Sequence, residues 1–166
     1  KQCFWGMEAL IRWQKDNGEF ISPSEFVPMA ESSGMAGDLF SWIIEAVFSD
    51  YKDLCNVVPS PGPVAINMSA TQVADLTIVD QFKKLSDQYG VDCSNFNFEI
   101  TESATMDGNT ENALELLNAL REMGATIALD DFGTGYSSLS YLSSLPVDIL
   151  KLDRSFVQKL HEPDGE

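Results

Sequence analysis

Hydrophobic residues follow two patterns along this chain: short apolar runs with strand character, and longer stretches with helical spacing. Apolar residues three or four positions apart predict amphipathic helices in the longer stretches. Strands alternating with helices predict a parallel α/β sheet or barrel with right-handed crossovers. The predicted strands are FWGMEALIRW, VAINMS, FNFEIT, TIALDD and DILKL, with a polar loop, DNGEFISPSE, after the first, and the predicted helices cover 24–33, 36–51, 78–89, 110–123, 138–145 and 155–160.

Each predicted strand has an apolar face and a face that carries polar groups, because successive side chains point to opposite sides. We expect the apolar face to pack under the crossover helices. The polar groups lie near the carboxyl ends of all five strands, where ligands bind in α/β sheets and barrels. One acid at a strand end is usually a helix cap or a solvated residue, but agreement among five strands indicates a functional site. The polar set is Glu8, Asn67, Ser69, Glu99, Thr101, Asp130, Lys151 and Asp153, and the apolar set includes Trp5, Met7, Ile66, Phe98, Leu129, Leu150 and Leu152.

Size and charge narrow the class of protein. A chain of 166 residues with 44% hydrophobic and 22% charged residues is typical of one soluble globular domain. Its net charge of −16 repels nucleic-acid backbones and anionic lipids, so we expect no nucleic-acid polymer as a partner and no membrane contact by this segment. The only histidine is His161, which argues against histidine-based catalysis. Three cysteines without CxxC spacing favour a reducing, cytoplasmic setting.

The polar set offers oxygen ligands without sulfur or imidazole. Such ligands suit Mg²⁺, Mn²⁺ or Ca²⁺ rather than Zn²⁺. Asp131 follows Asp130, so on a regular strand it would point away, but a chain that curls at the strand end could bring both carboxylates to one site. Adjacent acids at one site suit a pair of metal ions, which can drive phosphodiester hydrolysis. The candidate metal ligands are Glu8, Asn67, Glu99, Asp130 and Asp131.

Two basic residues and a glycine-rich segment complete the candidate site. Lys151 is expected to orient a water molecule or neutralise developing charge, and Arg12 to bind a phosphate. Gly133 and Gly135 in FGTGYSSL permit a tight loop whose backbone amides could face an anion. A plain turn between strand and helix, with Ser137 as the helix cap, explains the same segment equally well.

Five segments taken together resemble the EAL domains, which are bacterial cyclic-di-GMP phosphodiesterases. The resemblance implies a modified (β/α)8, TIM-like barrel, of which about five βα units fall within this chain. It also implies hydrolysis of cyclic-di-GMP to linear pGpG with two Mg²⁺ or Mn²⁺ ions. The segments are EALIRW at 8–13, INMS at 66–69, FEITES at 98–103, LDDFGTGYSSLSYL at 129–142 and DILKLDRSFV at 148–157.

The resemblance implies roles for individual residues. Leu10 would contact a guanine of the substrate and Arg12 a phosphate, while Asp153 would line the metal centre. Glu102 would anchor the loop at 132–138, which would couple metal occupancy to loop position and to dimerisation. The first metal ion would be bound by Glu8, Asn67, Glu99 and Asp130, and the second by Asp131. Lys151 would position the hydrolytic water. The catalytic set implied by the resemblance is Glu8, Asp131 and Lys151.

The length of the chain sets the remaining expectations. Because a complete (β/α)8 domain takes ~250 residues, we expect residues 1–166 to be one partial EAL domain, truncated at both ends. The family's first strand would precede Lys1, and a strand with a Glu-Gly-Val-Glu motif would follow Glu166. We expect a homodimer, and fusion to sensor or GGDEF domains in a cytoplasmic parent whose membrane anchor, if any, lies elsewhere. The alternative is an inactive EAL domain that acts as a cyclic-di-GMP receptor or a protein-interaction module.

Overall fold

A five-stranded parallel sheet forms the centre of the chain. It is seen in a computed structural model that describes residues 5–101, 104, 110–133 and 144–159. The prediction of an α/β fold with five parallel strands is confirmed. The strands of this sheet, in spatial order, are β1 (Met7–Ala9), β4 (Val64–Met68), β5 (Phe96–Thr101), β6 (Thr126–Phe132) and β7 (Ile149–Leu152), and β2 (Trp13–Gln14) and β3 (Phe20–Ile21) form a separate antiparallel hairpin.

The helices follow the predicted periodicity closely. The second predicted helix is longer than expected and reaches Val57, where the approach of Pro59 ends it, since a residue before proline disfavours helical geometry. A four-residue helix after β4 was too short for the pattern to indicate. The predicted helix at 138–145 lies mostly outside the described residues. The helices are α1 (Pro23–Ser32), α2 (Ala36–Val57), α3 (Ala70–Val73), α4 (Thr77–Tyr89), α5 (Thr110–Glu122) and α6 (Arg154–Lys159), with a 3-10 turn at Cys93–Asn95.

The β2–β3 hairpin begins at the end of the predicted first strand, and its turn and second strand lie in the segment predicted as a polar loop. The first strand of the sheet ends at Ala9, earlier than predicted, and the chain leaves the sheet to form the hairpin. Asn17 and Gly18 make its turn: the Asn17 side chain accepts from the Glu19 amide at 3.0 Å, and Gly18 has φ +85°. An Asn-Gly pair is a hairpin signal, and here it forms a hairpin turn although its immediate neighbours are polar.

The core lies between the sheet's apolar face and helices α2, α4 and α5. The ring of Phe48 in α2 lies 4.4 Å from that of Phe96 in β5 and 5.0 Å from that of Phe82 in α4, measured between centroids. The predicted burial of the apolar face is confirmed for the three central strands. Its fully buried members include Ile66, Phe98, Ile100, Ile127 and Leu129.

The predicted burial is wrong at both edges of the sheet. Trp5, which precedes β1, is 93% exposed, and Leu150 and Leu152 in β7 are each 50% exposed. An edge strand has a neighbour on one side only, so less of the described chain covers it. The alternating pattern therefore identified the apolar face correctly but could not report how much of it is covered.

Candidate active site

An ion-paired lysine reaches from the edge strand β7 to two acids on the polar face of the sheet. The Lys151 ammonium in β7 donates to Glu99 Oε2 at 2.6 Å and to Asp130 Oδ2 at 2.7 Å. Glu99 is only 4% exposed, whereas Asp130 and Lys151 remain partly open to solvent. The sheet places these three side chains together because β5, β6 and β7 are parallel neighbours whose carboxyl ends meet at one edge. The sequence predicted this grouping from strand phase alone.

Burial and charge act on the two ends of this ion pair in different ways. Burial removes hydration from the Glu99 carboxylate and raises its pKa, and the hydrogen bond from Lys151 only partly offsets this. For Lys151, burial acts to lower the pKa, but the bonds to Asp130 and Glu99 outweigh it, so the pKa is raised. The ammonium is therefore held firmly in its charged form at neutral pH.

A second polar pair adjoins the lysine. Asn67 Nδ2 in β4 donates to Glu8 Oε1 in β1 at 2.8 Å, and both side chains are exposed. Asn67 lies directly opposite Glu99 in the β4–β5 register, so the two groups of side chains are neighbours across the sheet. All five strands thus contribute one polar side chain to the same end of the sheet, as the sequence predicted.

The adjacent acids Asp130 and Asp131 lie at a β-bulge. The β6–β7 pairing runs from Leu129 opposite Leu150 to Phe132 opposite Leu152, so two residues of β6 oppose the single residue Lys151. Asp131 adopts a left-handed φ of 55°, and its amide donates to Asp130 Oδ1 at 2.8 Å. A bulge bends the strand and redirects a side chain, and such strained backbone clusters at functional sites. This bulge is the local curl that the sequence analysis required if both carboxylates were to serve one site.

The remaining predicted residues occupy different surroundings. Leu10 and Arg12 line a cavity of about 300 Å³ together with Asn67 and Glu99, next to the ion pair. Asp153 caps α6, because its Oδ1 accepts from the Ser155 amide at 2.8 Å and also from the Ser155 hydroxyl. These bonds lower the pKa of Asp153. Glu102, the predicted loop anchor, lies outside the described residues.

The sequence analysis gave no separate role to Gln72, a residue of the same cavity wall. Its side chain is 7% exposed, and its Oε1 accepts from the Ser69 amide at 2.7 Å, which closes the turn between β4 and α3. This is a capping box, and its signal, a serine followed three positions later by glutamine, is visible in the sequence. Gln72 thus fixes the backbone two residues after Asn67.

The donor chemistry suits hard divalent cations. Every candidate ligand supplies oxygen, and the Lys151 ammonium already lies between Glu99 and Asp130, where a cation is favoured by two facing carboxylates. Among the described residues, no three side chains of the His, Cys, Asp or Glu types are grouped closely enough to hold a metal ion. The candidate ligands thus fit a metal ion in charge and atom type but are not gathered around one point, and the assignment of individual ligands stays a prediction.

The fold and this end of the sheet define an α/β protein of the barrel type with an acidic, oxygen-rich site at the carboxyl ends of its strands. Residues 3–166 match the family model of the EAL domain. The chain therefore belongs to the EAL domain family.

Named relatives and a solved structure extend this assignment. The chain is 36% identical over 154 residues to the cyclic di-GMP phosphodiesterase NbdA of Pseudomonas aeruginosa. This match covers 93% of this chain and 20% of NbdA. The chain is 37% identical over 156 residues to the probable cyclic di-GMP phosphodiesterase PdeG of Escherichia coli, covering 94% of this chain and 31% of PdeG. The structure of the PaMucR phosphodiesterase in complex with c-di-GMP matches with a TM-score of 0.84 and 34% identity, over 95% of this chain and 64% of that one.

The chain spans between a fifth and a third of the length of these two curated relatives. Within the part of the chain that the structure describes, no helix combines the length and the apolar character that a bilayer crossing requires.

Proposed function

We propose that this chain is part of a cyclic-di-GMP phosphodiesterase that hydrolyses the cyclic dinucleotide to linear pGpG. Its membership of the EAL family supports the proposal, as do the names of NbdA and PdeG and the ligand in the PaMucR complex. The observation that carries it is the contact of Lys151 with Glu99 and Asp130, beside the Glu8–Asn67 pair, at the carboxyl ends of five parallel strands.

EAL phosphodiesterases are metal-dependent enzymes, and we propose Mg²⁺ or Mn²⁺ as the ions. When bound, such ions lower the pKa of water and stabilise the leaving oxygen of a phosphodiester. The Asn67 amide nitrogen already donates to Glu8, which leaves its carbonyl oxygen as the available ligand atom. In this proposal Glu8, Asn67, Glu99 and Asp130 hold the first ion and Asp131 holds the second.

The side chains around the ions have their own tasks in the proposed reaction. Lys151 stays protonated and donates hydrogen bonds, so it can orient the attacking water and balance negative charge as the phosphate is attacked. Arg12 is exposed beside the cavity and can pair with a phosphate oxygen, while Leu10 offers an apolar contact for a guanine ring. Asp153 is proposed to line the metal centre in addition to capping α6, and Glu102 to anchor the following loop.

Four wider proposals rest on the family resemblance. The chain covers 64% of the PaMucR chain, which supports its being part of a larger EAL domain. The relatives are three to five times longer than the matched segment, which leaves room for sensor or GGDEF domains in the parent protein. Homodimerisation and a cytoplasmic location complete the proposal.

The decisive experiment measures pGpG formation from cyclic-di-GMP, by chromatography, with Mg²⁺ or Mn²⁺. The intact parent protein is expected to form pGpG, and the isolated 166-residue chain to be weakly active or inactive. Since residues that merely support a metal ligand alter activity by about 10- to 100-fold, Glu8→Ala in the parent is expected to lose more than about 100-fold. The control is Glu45→Ala, an exposed acid on α2, which should retain wild-type turnover.

Two results would contradict the proposal. Undiminished turnover by Glu8→Ala would overturn the role of Glu8. Calorimetric binding of cyclic-di-GMP without pGpG formation by the intact parent would replace the phosphodiesterase with a receptor.

A further inference from the structure

In the described part of this 166-residue chain, burial does little to set the register of β7. The strand has four residues and one neighbour in the described sheet, and Ile149, Leu150 and Leu152 are each 43% to 50% exposed. Its pairing with β6 is regular only at Ile149 and Leu150, before the bulge. A strand without a well-buried face is prone to slip, and a slip of one residue would turn Lys151 to the opposite side of the sheet.

A group of hydrogen bonds at the start of β7 fixes the register of the strand where burial does not. The amide of Asp148 donates to Ile127 O at 2.9 Å, and the amide of Ile127 donates back to Asp148 Oδ2 at 3.0 Å. Arg121 in α5 holds the same carboxylate through Nη2 at 2.7 Å and Nε at 3.1 Å. We call these three residues, Arg121, Ile127 and Asp148, the Asp148 clasp.

The clasp stays intact at neutral pH. Burial acts to raise the pKa of Asp148, but the hydrogen bonds from Arg121 and from the Ile127 amide outweigh it, so the pKa is lowered. The Arg121–Asp148 pair is partly exposed, and such a pair contributes little to stability by itself. Its effect is geometric, since it joins the start of β7 to both β6 and α5.

We propose that Asp148 is a positioning residue: the Asp148 clasp sets the register of β7 and thereby brings Lys151 to Glu99 and Asp130. Lys151 follows Ile149 by two positions, so the two side chains share a face once Ile149 is paired with Ala128. Beyond the bulge, the Asp153 amide donates to Phe132 O at 3.2 Å and joins β7 to β6 again. The clasp sets the regular pairing before the bulge, on the side from which the chain enters β7. The importance of this position for catalysis rests on the proposed function, whereas the placement of Lys151 does not.

The test of the placement uses the 166-residue chain and nitrogen-labelled lysine. An ammonium held by two carboxylates exchanges its protons slowly and gives a distinct ¹H–¹⁵N signal, which Lys151→Met assigns by its disappearance. Asp148→Leu removes every hydrogen bond that the carboxylate accepts from Arg121 and Ile127, and we expect the Lys151 signal to be lost. Asp148→Asn keeps an acceptor for the Ile127 amide and is expected to retain the signal. Survival of the signal in Asp148→Leu would overturn the inference.

Asp92→Ala is the matched control. Asp92 also precedes a site-bearing strand and accepts from a backbone amide, that of Ser94 at 2.8 Å, but β5 is set by fully buried side chains. Asp92→Ala should leave the Lys151 signal unchanged. If this variant also lost the signal, the loss in Asp148→Leu would reflect general destabilisation, and the specific role of the clasp would be refuted. If Asp148→Leu does not fold, Arg121→Met decides instead. We expect a broadened Lys151 signal, and an unchanged signal would overturn the inference that the Asp148 clasp places Lys151.

The catalytic consequence is measured in the parent protein. A displaced Lys151 should lower kcat in Asp148→Leu by at least about tenfold, because a shift of ~1 Å at a reacting centre can cost about 100-fold. The KM for cyclic-di-GMP should stay within about twofold, since Arg12 and Leu10 are untouched. Equal kcat in Asp148→Leu and wild type would overturn the catalytic part of the inference. An inactive wild-type parent would refute the proposed function, and the Lys151 NMR signal would then be the test of the clasp.

Discussion

A single ammonium group contacts two of the carboxylates at the acidic end of the sheet. Glu99 is almost fully buried and receives its described hydrogen bond from Lys151, whose second bond goes to Asp130. A buried carboxylate that loses its partner bears the full cost of desolvation. At the scale of one residue, Lys151 therefore stabilises the fold as well as shaping the site.

We expect Lys151→Met to lower the free energy of unfolding by about 1 to 2 kcal/mol, because Glu99 then remains buried without its cation. Urea denaturation at neutral pH with a chelator present measures this loss. The control is Lys15→Met, whose partner Glu19 is 60% exposed, and which should cost less than about 0.5 kcal/mol. Equal losses in both variants would show that the buried pair has no special weight.

The ends of helices show how local backbone geometry positions whole elements. Helix α4 ends at Tyr89 and is capped by Gly90, which adopts a left-handed φ of 62° and donates its amide to Ser86 O. Gly37 lies inside the first turn of α2 with ordinary helical geometry, and no atom lies within 4 Å of the place where its Cβ would be. The backbone at Gly90 therefore favours glycine, whereas the backbone at Gly37 would accept alanine.

Replacing each glycine by alanine should therefore have opposite effects. Gly90→Ala is expected to lower the free energy of unfolding by about 1 kcal/mol, since a Cβ is strained in the left-handed region. Gly37→Ala is expected to raise it by up to about 1 kcal/mol, since alanine favours the helix. Thermal or urea unfolding of both variants decides, and a shift of the same sign in both would contradict the backbone explanation.

Net charge acts on the molecule as a whole. The chain carries 26 acidic and 10 basic residues, so a compact fold has to accommodate a net charge of −16. Like charges on the surface repel one another and oppose compaction. Ion pairs relieve little of this repulsion, because among the described residues only Lys15, Arg121 and Lys151 form them.

Sodium chloride is accordingly expected to raise the melting temperature of the chain. Screening shortens the reach of the repulsion from ~30 Å at 0.01 M salt to ~8 Å at 0.15 M. A gain of about 1 kcal/mol would appear as a shift of about 2 to 4 °C. The measurement is a thermal melt with a chelator present, so that divalent ions play no part. A melting temperature that stays constant or falls with salt would contradict this account.

Prediction from sequence succeeded where the hydrophobic periodicity is strong. It failed where burial depends on which other elements pack over a strand. The three central strands and the long helices carry unambiguous patterns, so their faces and approximate limits were correct. The hairpin at Trp13–Ile21 was missed because its strands are two residues long, although Asn17 and Gly18 signalled its turn. The exposure of Leu150 and Leu152 could not be predicted, because it depends on which other elements cover an edge.

The amino-acid order by itself determined which side chains share a face, and hence that Glu8, Asn67, Glu99, Asp130 and Lys151 meet at one end of a parallel sheet. Strand alternation is a local property of the backbone, so it needs no knowledge of the rest of the molecule. Only the tertiary structure decided that Lys151 bridges Glu99 and Asp130, that a bulge at Asp131 redirects the chain, and that Asp148 clasps β7 to its neighbour. These contacts depend on register between strands distant in sequence, and register is set by packing and hydrogen bonding across the whole sheet.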